Sequence, residues 1–162
     1  MVIILMGVSG SGKTTIGQLL AQHLGWTFYD GDDFHPQANV EKMRQGIPLT
    51  DDDRDSWLTT LQQLIDTFLH QNQSAVLACS ALKQTYRSRL QRNQTDVRFV
   101  YLKGDLDLIR QRLTTRQGHF MPANLLGSQF ATLEEPQGVL TVDISQSPES
   151  IVGTIKAAFL LG

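Results

Sequence analysis

A single cysteine, Cys79, stands in a chain of 162 residues. One thiol excludes an intramolecular disulfide and fits a reducing compartment. Neither sign of charge is in excess. Fourteen Lys and Arg against sixteen Asp and Glu leave a net −2, so no basic field is there to gather nucleic acid. Long apolar runs are also missing. No segment approaches the length of a membrane span. The apolar start has no charged lead-in and is too short for the hydrophobic region of a signal peptide. No repeat, low-complexity tract or linker interrupts the chain. The expectation is a soluble, cytoplasmic chain folded as one domain, residues 1–162, with a real core.

What is there begins with Gly7-Val8-Ser9-Gly10-Ser11-Gly12-Lys13-Thr14, which fits G-x-x-x-x-G-K-[ST] without a gap. The apolar run Val2–Met6 precedes it and reads as a buried parallel strand. Thr15–Leu24 follows and reads as a helix. Strand, glycine-rich turn and helix together make a phosphate-binding loop. Glycines let backbone N–H groups converge on a polyphosphate, and the helix start adds partial positive charge there. Lys13 can reach the β- and γ-phosphates, and the Thr14 hydroxyl can ligate Mg²⁺. The bland alternative is a glycine-rich turn with a chance lysine.

Further strand candidates are Trp26–Asp30, Ala75–Cys79, Val97–Lys103 and Val139–Ile144, with helical stretches between them. This alternation predicts an α/β fold with a parallel five-stranded sheet covered on both faces. Ligands of such sheets sit beyond the carboxyl ends of the strands. The loops to search are therefore 7–14, 30–36, 79–87, 103–105 and 144–149. Thr50 and Asp53 make a capping box for a helix. Trp57, Leu58, Leu61, Leu64, Ile65, Phe68 and Leu69 recur on it at helical spacing. Packing accounts for all of them except Trp57. A helix from about Asp105 buries Leu106, Ile109 and Leu113 and sets Arg112 and Arg116 together beside that face. The segment 117–127, opening with Gln117-Gly118-His119-Phe120-Met121-Pro122, has the make-up of a lid, or of an ordinary surface loop.

Several side chains in these loops suit phosphoryl transfer. Asp30 can hold Mg²⁺, directly or through water. Asp32 can accept the proton of an attacking hydroxyl or orient it. Asp33 reads as a solvated cap. His35 can bond a substrate hydroxyl or carboxylate. Lys83 and Arg87, four apart, suit an anionic substrate or form a solvated basic face. Arg54 either joins them or balances Asp51, Asp52, Asp53 and Asp55. Cys79 reads as small core packing rather than a nucleophile.

Together these blocks resemble the gluconate kinases, small P-loop enzymes that make 6-phosphogluconate from D-gluconate and ATP. The likeness runs through Gly7–Thr15, the block from Asp30 to Pro36 with Asn39, Lys42 and Met43, and Gly46–Leu58. It continues through Ala78–Arg87, Gly118–Pro122 and Leu125–Pro136. Ser56 departs from the proline common among relatives, a conservative change at a helix start. The resemblance implies a nucleoside-monophosphate-kinase-like fold with a lid, Mg²⁺ with ATP as co-substrate, and a homodimer. It implies ATP contacts from Gly7 to Thr15, with Arg112 on the adenine side and Arg116 on the phosphate side. Lys13, Asp32 and Arg116 would be catalytic, and Thr14 and Asp30 would hold the metal. Asp32, His35, Arg54, Lys83 and Arg87 are the expected gluconate contacts by motif position and chemistry. A shikimate- or nucleotide-type kinase is the alternative. A nucleotide switch without an acceptor is disfavoured by the number of polar groups on the substrate side.

Overall fold

The computed structural model describes residues 1–91, 93, 95–115 and 123–161, with the side chains of 114, 115 and 123–125 left aside. Its five strands are β1 (Val2–Met6), β2 (Thr27–Asp30), β3 (Ala75–Ala78), β4 (Val97–Lys103) and β5 (Leu140–Asp143). All pairings are parallel, in the order β2-β3-β1-β4-β5. Seven helices lie among the described residues: α1 (Lys13–Leu24), α2 (Gln37–Arg44), α3 (Asp51–His70), α4 (Gln84–Leu90), α5 (Leu106–Thr115), α6 (Ala123–Thr132) and α7 (Pro148–Ala158). A 3₁₀ turn, Gly31–Phe34, follows β2.

Strand β1 is buried along its whole length, as expected for the middle of a sheet covered on both faces. Successive side chains on a strand point to opposite faces. Val2, Ile4 and Met6 accordingly meet Trp57, Leu58, Leu61 and Ile65 of α3. Ile3 and Leu5 share the other layer with Ile16 and Leu20 of α1 and with Ile151, Val152 and Ile155 of α7. Cys79 is buried on the α3 side. Burial, with the Asp32 charge beside it, pushes its thiol up to about 12, so it packs as an inert small side chain.

Helix α3 starts where its chemistry requires. Thr50 accepts from the Asp53 N–H, and the Asp53 carboxylate accepts from the Thr50 N–H, a closed capping box. Lys42 of α2 then binds both Asp53 oxygens at 2.9 and 2.8 Å. The Lys42 bond, followed by that from Thr50, holds the Asp53 carboxyl down at about 2. The start of α3 and the end of α2 are thereby joined on the side where β2 and β3 end. No helix among the described residues is long and apolar enough to cross a membrane.

Candidate active site

The phosphate loop runs from β1 into α1. Gly12 is the N-cap of α1 with φ 99°, a left-handed conformation that a side chain would strain. Val8 points into the core, so this residue offers the ligand backbone rather than side chain. Lys13 Nζ donates to the carbonyls of Gly7 and Val8 at 2.9 Å each. The ammonium is thus held over the loop it serves. The Ser9 N–H donates to Gln129 Oε1 of α6 at 2.6 Å.

Asp30, the last residue of β2, caps the 3₁₀ turn by accepting from the Asp32 N–H at 3.0 Å. Its other oxygen accepts from Thr14 Oγ1 at 3.2 Å. Burial pushes the Asp30 carboxyl up. The Asp32 N–H opposes this, and the charges of Asp32 and Asp33 push it further. Asp30 and Thr14 form a pair of hard oxygen donors beside the phosphate loop. Such a pair fits Mg²⁺, which takes few carboxylates and keeps several waters.

One pocket gathers Lys13, Asp32, His35, Arg54, Trp57, Leu49, Ser128, Gln129 and Thr132 among its walls. Burial pushes the Asp32 carboxyl up, but the His35 interaction and the Lys13 charge outweigh it and hold it below the usual range. Asp32 is therefore a carboxylate at neutral pH, ready to accept. His35 Nε2 faces Asp32 Oδ1 at 3.5 Å. The ring stacks on Trp57 with centroids 4.2 Å apart. Trp57 Nε1 donates to the Gly31 carbonyl at 2.8 Å, tying α3 to the turn that carries Asp32. Arg54 adds its charge to the bonds from Tyr86 and Lys83 that hold the Asp51 carboxyl down. Its Nη1 donates to the Leu49 carbonyl at 2.9 Å and to the Tyr86 hydroxyl at 3.2 Å.

Lys83 and Arg87 are not among the residues that line this pocket. Lys83 is the extended N-cap of α4, so the four-residue spacing does not act as a helical one. Its ammonium pairs with Asp51 at 3.0 Å, and Asp51 also accepts from the Tyr86 hydroxyl. Arg87 is buried. Its Nη1 donates to the Ala81 carbonyl at 2.7 Å, and its Nη2 to the Glu134 carbonyl at 2.8 Å and Gln84 Oε1 at 3.3 Å. It binds chain segments together.

A second cleft lies on the opposite side of the phosphate loop. Gly10, Gly12, Thr15 and Arg112 line it with Ile144, Gln146 and Pro148. Arg112 Nη2 donates to the Ile144 carbonyl, so its guanidinium plane stands beside the loop after β5. Arg116 and residues 117–122 of the expected lid lie outside the described residues, and 123–127 open α6. Sequence reasoning gave no role to Asn39, Gln129, Ser128 or Thr132. A polar Ser128-Gln129 pair inside the apolar stretch 125–133 was the available signal.

The family model for shikimate kinase matches residues 9–129. Among curated proteins, a probable gluconokinase of Xenopus tropicalis is 45% identical across 96% of this chain and 92% of its own. The thermoresistant gluconokinase of Escherichia coli K12 is 44% identical across 94% and 90%. A solved gluconokinase from Sinorhizobium meliloti 1021 superposes with a TM-score of 0.87 at 41% identity, covering 98% of this chain and 90% of that one.

Proposed function

The chain belongs to the gluconokinase family of P-loop kinases, and from that premise we propose the reaction it catalyses. It transfers the γ-phosphoryl group of ATP to the terminal primary hydroxyl of D-gluconate, giving 6-phospho-D-gluconate. The observation that carries this reading is the meeting of Lys13, Asp32 and Arg54 in one pocket: a phosphate-loop ammonium, a hydroxyl acceptor and a carboxylate-binding cation. A shikimate- or nucleotide-type kinase is not favoured, because the relatives matched along nearly the whole chain are gluconokinases.

The roles follow from what each group can do. Arg54 pairs with the gluconate carboxylate, while His35, with Nε2 toward Asp32, steadies the acceptor side of the pocket. That anchors the far end and sets the primary hydroxyl against Asp32. The loss of freedom needed for attack is then met by binding rather than by the reacting step. Asp32, already ionised, accepts the hydroxyl hydrogen and aims the oxygen in line with the γ-phosphorus. A loose transition state needs this orientation more than a strong base. Thr14 and Asp30 would hold Mg²⁺, which would supply positive charge to offset that of the phosphates. Lys13 leaves the loop carbonyls for the phosphates. Arg112 flanks the adenine through its planar guanidinium, and Arg116 brings positive charge to the transferring group.

We further read the chain as one kinase domain whose lid, about 117–127, excludes water on closing, and as a cytoplasmic homodimer. The test of the reaction is a coupled assay with ATP, Mg²⁺ and a panel of sugar acids beside shikimate and nucleoside monophosphates. Turnover confined to gluconate is expected. Turnover with shikimate alone, or ATP hydrolysis indifferent to every acceptor, would overturn the reading.

A further inference from the structure

Asp32 is held by contacts that lead away from the pocket. Asn39 is only 3% exposed. Its Nδ2 donates to the main-chain carbonyl of Asp53 at 2.8 Å. A carbonyl oxygen can only accept, so the amide nitrogen, and not the amide oxygen, must face it. The same nitrogen lies 3.2 Å from His35 Nδ1, where it presents its second hydrogen. A hydrogen on Nδ1 would set N–H against N–H. Nδ1 is therefore the acceptor, and the hydrogen of the neutral ring sits on Nε2. Nε2 is the atom that faces Asp32 Oδ1, and Trp57 stacked on the ring keeps it in plane.

We propose that Asn39 is a positioning residue for phosphoryl transfer, acting through His35. By fixing the Nε2–H tautomer it turns a donor toward one oxygen of Asp32, leaving the other for the acceptor hydroxyl. In the opposite tautomer a nitrogen lone pair would face the carboxylate, and Asp32 would swing off line. A misplacement of about 1 Å at the reacting group lowers the rate on the order of 100-fold. The role rests on the assignment of Asp32 in the gluconokinase reaction. Asn39 touches neither substrate in this scheme, so its loss alters kcat while the KM for ATP stays.

The first measurement uses the unaltered protein. Nitrogen-15 NMR of the histidine rings, followed across pH, reads which ring nitrogen of His35 carries the hydrogen, assigned by the signals missing from His35→Gln. An unprotonated Nδ1 with hydrogen on Nε2 is expected at the alkaline end, and hydrogen on Nδ1 there overturns the proposal even if no variant folds. The second measurement uses Asn39→Asp, which sets an acceptor opposite Nδ1, and Asn39→Ala, which sets nothing. For Asn39→Ala the preference for hydrogen on Nε2 should be lost and kcat should fall about 10- to 100-fold, with the KM for ATP within about twofold, whereas Asn39→Asp, with a carboxylate on each side of the ring, should keep a hydrogen on Nε2. A lost preference with normal kcat in Asn39→Ala overturns the proposal, as does a variant that loses stability alone. Wild-type turnover of gluconate in the same assay separates the two ideas. Its absence would sink the reaction, whereas the tautomer result would still decide the hydrogen-bond chain.

Discussion

Replacing Arg87 by Met should destabilise the protein and leave gluconate binding alone. Methionine keeps most of the buried stem and removes the guanidinium. The carbonyls of Ala81 and Glu134 then lose donors at 2.7 and 2.8 Å. An unsatisfied buried acceptor costs about 1–3 kcal/mol; that applies to the buried Ala81 carbonyl, whereas Glu134 is exposed and its carbonyl can turn to water. Against this, a buried guanidinium whose Nε has no partner among the described residues no longer needs desolvating, which offsets part of the loss. A net loss of about 1–3 kcal/mol is expected. For a chain of this size each kcal/mol moves the Tm by about 2–4 °C, so the Tm should drop by about 2–12 °C. Thermal unfolding followed by circular dichroism reads the drop, and steady-state kinetics at 25 °C read the KM for gluconate. That KM should stay within about twofold. Arg54→Met is the contrast. Losing a charge-assisted bond of about 1.5–3 kcal/mol should raise the KM for gluconate on the order of 10- to 100-fold. An Arg87→Met protein with an unchanged Tm and a raised KM would refute the reasoning, because Arg87 would then be serving the substrate.

Asp32→Asn should lower kcat far more than it weakens ATP binding. An effect on ATP affinity alone, read by calorimetry with a non-hydrolysable analogue, would move Asp32 to the metal site. Arg116→Ala should lower kcat more than Arg112→Ala, which should mainly raise the KM for ATP, since adenine contacts persist through the reaction and contacts to the transferring group strengthen within it. Kinetics at saturating gluconate decide, and a normal kcat in Arg116→Ala would remove its assigned role. The Asp53 carboxyl is depressed from 3.8 to about 2 in the fold. Its stabilising effect is therefore complete above the unfolded value and lost as pH falls through about 2. Urea midpoints of Asp53→Asn should lie below wild type at pH 7 and converge with it toward pH 2, and a constant gap down to pH 2 would contradict the assignment.

Local signals in the sequence located most of the elements. Five consecutive apolar residues made β1 legible, and Thr50 with Asp53 fixed the start of α3. Strand β2 begins at Thr27 rather than Trp26 because the Trp26 N–H donates to the Ala21 carbonyl in closing α1. The phosphate loop and the Asp30–Asp32 segment were readable because each is a short stretch of chain. What was not readable depends on distant pairs. The i, i+4 relation of Lys83 and Arg87 presumes a helix that begins one residue too late to include Lys83. Arg87 reaches Glu134, Trp57 reaches Gly31, and Gln129 reaches Ser9. No periodicity encodes such contacts. The spacing could place Trp57 on the core stripe, but it could not show that the indole N–H holds the turn that carries Asp32.

Gly31 sits where β2 turns toward the pocket, and a Cβ built there would lie 2.6 Å from the Ala78 carbonyl. Backbone is pressed on backbone, so no side chain at this position is accommodated without parting β2 from β3. The same residue lends its carbonyl to Trp57. Asp30 and Asp32 leave this fixed point on either side, and their separation is set by the sheet itself. Evolutionary drift in the pocket is therefore lopsided. The wall built from β2 has little latitude, because any enlargement there disturbs Asp30 and Asp32 together. The opposite wall, Ile47-Pro48-Leu49, is a loop with Ile47 exposed. Change in the shape of the pocket is easier to accommodate in that loop than along β2.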